Sequence, residues 1–221
     1  MARSIRPALA LAASAALVGG ALLTARFVLP DAAPVLDPRV EAVFPLALGT
    51  RFALDLARVD DPRPVPLEFR VTAWERVAGA PHARLEGVVP GARHAYSVEW
   101  LRPEPLGPDR VRLVCSQRQV GAGVHAFEPP LPLLELPLEP GRSWSWEGRV
   151  GGVRARTTTT TTERDHPGHG PVVEVLQRLV VLAPTGERHA ERVLVFARPG
   201  GLVEERWRNP LGDREHHAAR R

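Results

Sequence analysis

From Phe44 onward the chain alternates apolar and polar residues with a period of two, and it is cut into short lengths by Pro and Gly. Arg51-Phe-Ala-Leu-Asp-Leu-Ala alternates around Phe52, Leu54 and Leu56. Leu67 to Val77 alternates for most of its length, and His94 to Trp100 places Tyr96, Val98 and Trp100 on one face. Arg110 to Cys115 repeats the pattern with Val111, Leu113 and Cys115. Further runs cover Trp144–Val150, Val172–Leu182, Arg192–Ala197 and Leu202–Trp207. Asp60-Asp61-Pro62, Ala78-Gly79-Ala80-Pro81, Pro90-Gly91, Gly107-Pro108-Asp109 and Pro184-Thr185-Gly186 separate them. Side chains alternate across a strand, and turn residues spaced every ten or so positions leave little room for helices. The pattern predicts an antiparallel all-β domain with one buried face.

The first residues have a different character. Arg3 and Arg6 precede Ala8–Ala25, which carries no charge, and Arg26 follows. Basic residues before an apolar run mark an export signal, and the run's length approaches that of a bilayer-spanning helix. Leu23-Thr24-Ala25 is a poor cleavage site, which favours a retained anchor over a released chain. No Cys follows the run, which excludes a lipidated terminus there. Positive charge ahead of the segment keeps that end inside and sends the rest across the membrane.

All 29 basic residues are Arg, and the net charge is +4. Arg alternates with Asp and Glu along the strands instead of clustering, so nucleic acid is not an expected partner. Cys115 is the one Cys. It shares the parity of Val111 and Leu113 and reads as a buried small hydrophobe, so the fold must be held by its core.

Two segments are unusual. Glu128-Pro-Pro-Leu-Pro-Leu-Leu-Glu-Leu-Pro carries too many Pro for a central strand and reads as a crossing segment or an edge. Thr157–Thr162 suits a strand or hairpin arm.

Candidate chemistry is sparse. His166-Pro-Gly-His169 with Glu163 and Asp165 brings metal-ligating types together, but Pro and Gly between them favour a solvated hairpin loop. His216-His217 reads as part of an exposed tail, and Glu204-Glu205 as solvated strand. Nucleophile elbows, zinc-protease helices and phosphate loops are missing from the sequence. No enzyme, metal or cofactor is expected. The five Trp are more suggestive. Trp144 and Trp146 share parity, and with Trp100 they are candidates for lining an apolar ligand site in an open half-barrel.

An internal repeat is visible. Phe44-Pro-Leu-Ala-Leu-Gly-Thr-Arg-Phe-Ala-Leu lies over Leu136-Pro-Leu-Glu-Pro-Gly-Arg-Ser-Trp-Ser-Trp. A looser pair is Gly123–Phe127 with Gly201–Trp207. Together with Phe196-Ala-Arg-Pro-Gly-Gly-Leu-Val, these segments resemble a loose group of uncharacterised bacterial exported proteins, often lipoprotein-like. That group carries PL-x-x-G-x-x-W and aromatic-Ala-x-Gly-x-Gly-Leu-Val motifs. Here the closing motif is one residue shorter at Pro199-Gly200-Gly201. The resemblance implies an exported antiparallel β-domain and supplies no catalytic residue.

The expectation is therefore an all-β fold, an antiparallel sheet as open half-barrel or sandwich, of two similar halves and preceded by a hydrophobic helix. Residues 1–30 form a signal peptide or single transmembrane anchor, and 31–43 a linker. Residues 44–208 form the β-domain, with halves 44–128 and 136–208, and 209–221 a polar tail. The expected role is a non-enzymatic envelope protein, tethered to the inner membrane facing the periplasm or secreted to it. It would bind an apolar ligand or lipid or, alternatively, serve as a structural or protein-interaction component of an envelope assembly.

Overall fold

A computed structural model describes residues 36–58, 61–120, 123–198, 200–208 and 216–220. The hydrophobic helix expected over residues 1–30 lies outside these residues. Among those described, no helix is long and apolar enough to cross a membrane.

Among the described residues, twelve strands follow one short helix, α1 (Pro38–Val43). They are β1 (Arg51–Arg58), β2 (Asp61–Val77), β3 (Ala80–Val88), β4 (Ser97–Pro105), β5 (Val111–Val120) and β6 (Gly123–Leu136). Then come β7 (Ser143–Val150), β8 (Val153–His166), β9 (Gly170–Ala183), β10 (Gly186–Ala197), β11 (Gly201–Arg208) and β12 (His216–Ala219). Each pairs antiparallel with its neighbour in the chain, and β12 also pairs with β1, so the sheet is a closed barrel. The all-β antiparallel expectation holds, and the open half-barrel or sandwich is corrected to a barrel.

Closure comes from the segment expected to be a polar tail. Asp55 and Leu56 of β1 face Ala219 and Ala218, while Glu204 and Glu205 of β11 face the same two residues from the other side. Ala218 is fully buried. Four residues with two His and two Ala show no apolar alternation, because backbone pairing on both sides holds this strand more than side-chain burial does.

The linker boundary also moves. Asp37 caps α1, accepting from the Arg39 N–H (2.9 Å) with Pro38 in the first turn. Val40 is fully buried and Leu36 packs on the core, so the barrel unit begins before Phe44.

The two Pro-Leu-x-x-Gly segments make the same corner. Gly49 (φ +84°) donates its N–H to the Val71 carbonyl (3.0 Å), and the Val71 N–H donates to Thr50 (3.1 Å). Gly141 (φ +78°) donates to Thr161 (2.8 Å), and the Thr161 N–H donates to Arg142 (2.9 Å). Both glycines take the left-handed backbone that the turn demands. Leu46 and Leu138 then enter the core, and one connected core draws on both parts of the chain.

The Pro-rich run belongs to β6. It pairs with β5 as far as Leu136, but with β7 only at Phe127↔Val150 and Glu128↔Arg149. Pro129, Pro130 and Pro132 offer no N–H to a second neighbour, so β6 and β7 part after Glu128. Leu131, Leu133, Leu134 and Leu136 join the core, and the Gln177 side-chain amide of β9 donates to the Pro132 carbonyl (2.9 Å). Twelve strands in a round barrel would leave space inside. Here the wall carrying β6 touches the wall carrying β9.

The polythreonine run lies in β8, as expected of a strand. Thr157, Thr159 and Thr161 point inward and are at most 3% exposed. Thr161 Oγ1 accepts from the Arg142 N–H (2.9 Å) and donates to the Glu139 carbonyl (2.6 Å), locking the second corner.

Where β6 and β7 fork, a Cβ added to Gly148 would sit 2.4 Å from the Glu128 carbonyl oxygen and 2.5 Å from the Trp146 ring. Gly148→Ala should destabilise the barrel by about 1–3 kcal/mol, the range for overpacking. A denaturant midpoint shifted by that amount, at unchanged slope, is the expected readout.

Candidate functional site

Polar residues appear inside the barrel where an apolar core is the simplest solution. Glu99 of β4, Arg118 of β5, Arg192 of β10 and Glu205 of β11 are all at most 7% exposed. Arg192 grips Glu99 through two nitrogens (3.1 and 3.3 Å), and its Nε donates to Glu205 (2.8 Å). Arg118 Nε lies 3.1 Å from Glu99. The Trp207 ring lies under both guanidinium groups, 3.6 Å from the Arg118 centre and 5.1 Å from that of Arg192. Two positive and two negative charges cancel, so the buried cluster carries no net charge.

The electrostatics follow from this packing. Burial acts to lower Arg192, but Glu99 and Glu205 outweigh it and hold the guanidinium above its ordinary value. Burial lowers Arg118, with Glu99 opposing and Arg192 adding to the shift. The neighbouring Cys115 thiol is pushed up to about 12, by burial first and by Glu99 second. A thiol that stays protonated is not a nucleophile, in keeping with the structural reading of Cys115.

The cluster separates two small cavities. One, of about 30 Å³, is bounded by Cys115, His125, Phe127, Leu131, Gln177 and Trp207. The other, of about 10 Å³, lies against Phe69, Leu85, Tyr96 and Ser97. The first has room for a water or two and the second barely for one. Pockets that take organic ligands run to roughly 300–1,000 Å³. Phe127 and Trp207, from the looser repeat pair, meet at the larger cavity.

The three candidate Trp do not share a site. Trp146 is buried, donates its indole N–H to the Pro129 carbonyl (3.0 Å) and stands edge-on to Phe127. Trp144 packs half-buried against the same core. Trp100 faces outward, because the β4 parity runs opposite to the sequence expectation. Glu99 and Leu101 turn inward, while the Trp100 N–H donates to Glu75 (2.7 Å) under the Arg84 guanidinium.

Glu204 and Glu205 are not solvated; both are at most 6% exposed. Glu205 joins the interior cluster. Glu204 faces outward into a ring of basic side chains from three strands: Arg164 (3.1 Å) and His166 (3.3 Å) of β8, Arg206 (3.0 Å) beside it and His217 (3.0 Å) of β12. The His217 hydrogen bond leads in holding its carboxyl down to about 2, with Arg206, His217 and Arg164 charges adding and burial opposing. The loop histidine is thus part of an ion network. The His169 ring lies tilted against it at 5.0 Å, while Glu163 and Asp165 are exposed.

A buried serine–histidine contact escaped the sequence reading. His82 Nε2 lies 2.6 Å from Ser116 Oγ, and Nδ1 lies 2.8 Å from the Ala80 carbonyl. The carbonyl fixes the proton on Nδ1, leaving Nε2 to accept from the hydroxyl. Burial holds His82 below its ordinary value. Neither residue borders the two interior cavities.

Compared with known proteins, the chain matches no family and no curated protein. Among solved structures it is similar to a "putative exported protein with YmcC-like fold" from Bacteroides fragilis. The identity is 12%, covering 78% of this chain and 93% of that one at a TM-score of 0.34. It is also similar to a "putative lipoprotein" from Parabacteroides distasonis, at 9% identity, covering 80% and 95% at a TM-score of 0.40.

Two outcomes test the electrostatics. Arg192→Met should cost about 3–5 kcal/mol, because Glu99 and Glu205 are left buried with one partner fewer. Adding Glu205→Leu should recover part of that loss in chemical denaturation, since neighbouring effects do not add. The Glu204 carboxyl has a folded value of about 2 against an ordinary 4.5. Its stabilisation is complete above that ordinary value and disappears as pH falls through the folded one. Glu204→Gln should flatten the thermal stability profile in that acid window.

Proposed function

We propose that this chain is an exported or inner-membrane-tethered envelope protein whose barrel is a non-enzymatic interaction module that engages an envelope partner through its outer surface. The observation that carries this reading is the filled interior. The largest space beside the charged cluster is about 30 Å³, against the hundreds of cubic ångströms an organic ligand occupies. A lipid held within an open, Trp-lined half-barrel loses its basis, because the barrel is closed and Trp100 faces outward.

Export is supported by the Arg3 and Arg6 flank and the uncharged Ala8–Ala25 run. The resemblance to exported bacterial proteins in the Pro-Leu-x-x-Gly and Gly-Gly-Leu-Val segments points the same way. In such a chain the membrane is the first partner.

Membrane fractionation followed by native mass spectrometry tests both parts. The full chain is expected in the membrane or periplasmic fraction, at its own mass and without a lipid adduct. Cross-linking before extraction should join it to a discrete envelope protein. Cytoplasmic recovery, or a lipid that stays bound through purification, would reverse the reading.

A further inference from the structure

The outer surface carries a space that the interior lacks. A cleft of about 520 Å³ opens at the β7–β8 hairpin, between Glu128, Glu147, Arg149, Arg154, Arg156 and Leu182. That volume suits a small organic ligand. The hairpin that frames it is fixed: Gly151 and Gly152 form its tip at φ +55° and +83°, and the Gly151 N–H donates to the Ala126 carbonyl of β6 (2.9 Å).

Several cross-strand Arg elsewhere on the barrel stand opposite a Glu and meet it. Arg70 faces Glu86 (3.5 Å), Arg112 faces Glu135 (2.6 Å) and Arg178 faces Glu191 (3.4 Å). Arg149 faces Arg154 directly across β7 and β8, as Arg51 faces Arg70 across β1 and β2, but Arg51 and Arg70 are held by Glu68 and Glu86 (3.5 Å each). Neither Arg149 nor Arg154 makes an ion pair or hydrogen bond with any described residue. Like charges in direct opposition destabilise a sheet. Two exposed guanidinium groups side by side form a double fork that matches the oxygens of a phosphate.

The remaining polar groups narrow the ligand. Arg156 is engaged with Glu187 (3.6 Å). Glu128 and Glu147, by contrast, are exposed and unpaired among the described residues, and they stand across from Arg149 and Arg156. A carboxylate repels a bare anion but accepts hydrogen bonds from hydroxyl groups. We infer that the β7–β8 cleft binds a phosphate ester of a polyol, with the phosphate between Arg149 and Arg154 and the hydroxyls on Glu128 and Glu147. The inference uses the barrel surface alone and holds whether or not the chain is exported.

Calorimetric titration of the full-length chain tests it with glycerol 3-phosphate and with inorganic phosphate. Glycerol 3-phosphate should bind the more tightly, and Arg149→Ala/Arg154→Ala should weaken both by at least about tenfold. Glu128→Gln/Glu147→Gln should weaken glycerol 3-phosphate yet strengthen inorganic phosphate, a reversal that misfolding cannot produce. Phosphatidylglycerol vesicles separate the sources. Arg-dependent co-sedimentation assigns a lipid headgroup, and binding of glycerol 3-phosphate without co-sedimentation assigns a soluble ester. Retention of neither ligand, or equal affinity in the Arg variant at unchanged circular dichroism, would overturn the inference.

Discussion

Everything in this barrel depends on the pairing of four residues. His216–Ala219 lie between β1 and β11 and bond to both. Without them the first and penultimate strands would each present a row of unpaired N–H and C=O groups, the edge that promotes aggregation. With them, the meander becomes a closed surface with a defined inside. Glu204 reinforces the joint by holding His217 on β12 while it gathers Arg164 and His166 from β8.

Closure then poses the problem of the interior. The chain fills it from three directions. Phe44 and Leu46 enter after α1, the Pro-rich half of β6 contributes its leucines, and the Arg118–Glu99–Arg192–Glu205 cluster occupies the centre. A buried ionic cluster of this kind is seldom the most stable filling, because desolvation offsets most of the Coulombic attraction. What it does impose is register. β4, β5, β10 and β11 must align to within hydrogen-bond distance for the four charges to cancel. Shifting any of these strands by one residue would turn its charge outward and leave the others unpaired.

Much of the fold was legible because strands write their burial into the sequence. Leu54, Leu56, Leu67, Leu113 and Cys115 alternate in the sequence and are buried in the structure. The Pro-Leu-x-x-Gly corners were legible too, since a left-handed glycine and a following large residue are local requirements. The charged interior was not. Glu99, Arg192, Glu204 and Glu205 look like solvent-facing residues, and the parity of β4 was inverted by giving Trp100 the inside. The distant partners of Glu99 decide that parity, and they leave no local mark.

The sequence by itself determined strand content, the turn positions, the buried thiol and the charge-free run that points to a membrane. These follow from side-chain alternation and backbone preference over a few neighbouring residues. Only the tertiary structure decided that the sheet closes, that its centre is ionic and filled, and that Arg149 meets Arg154 at an open cleft. Each of these depends on which distant strands lie side by side. Ala218 and Leu56, or Glu99 and Arg192, become partners only once the chain has gone once around the barrel.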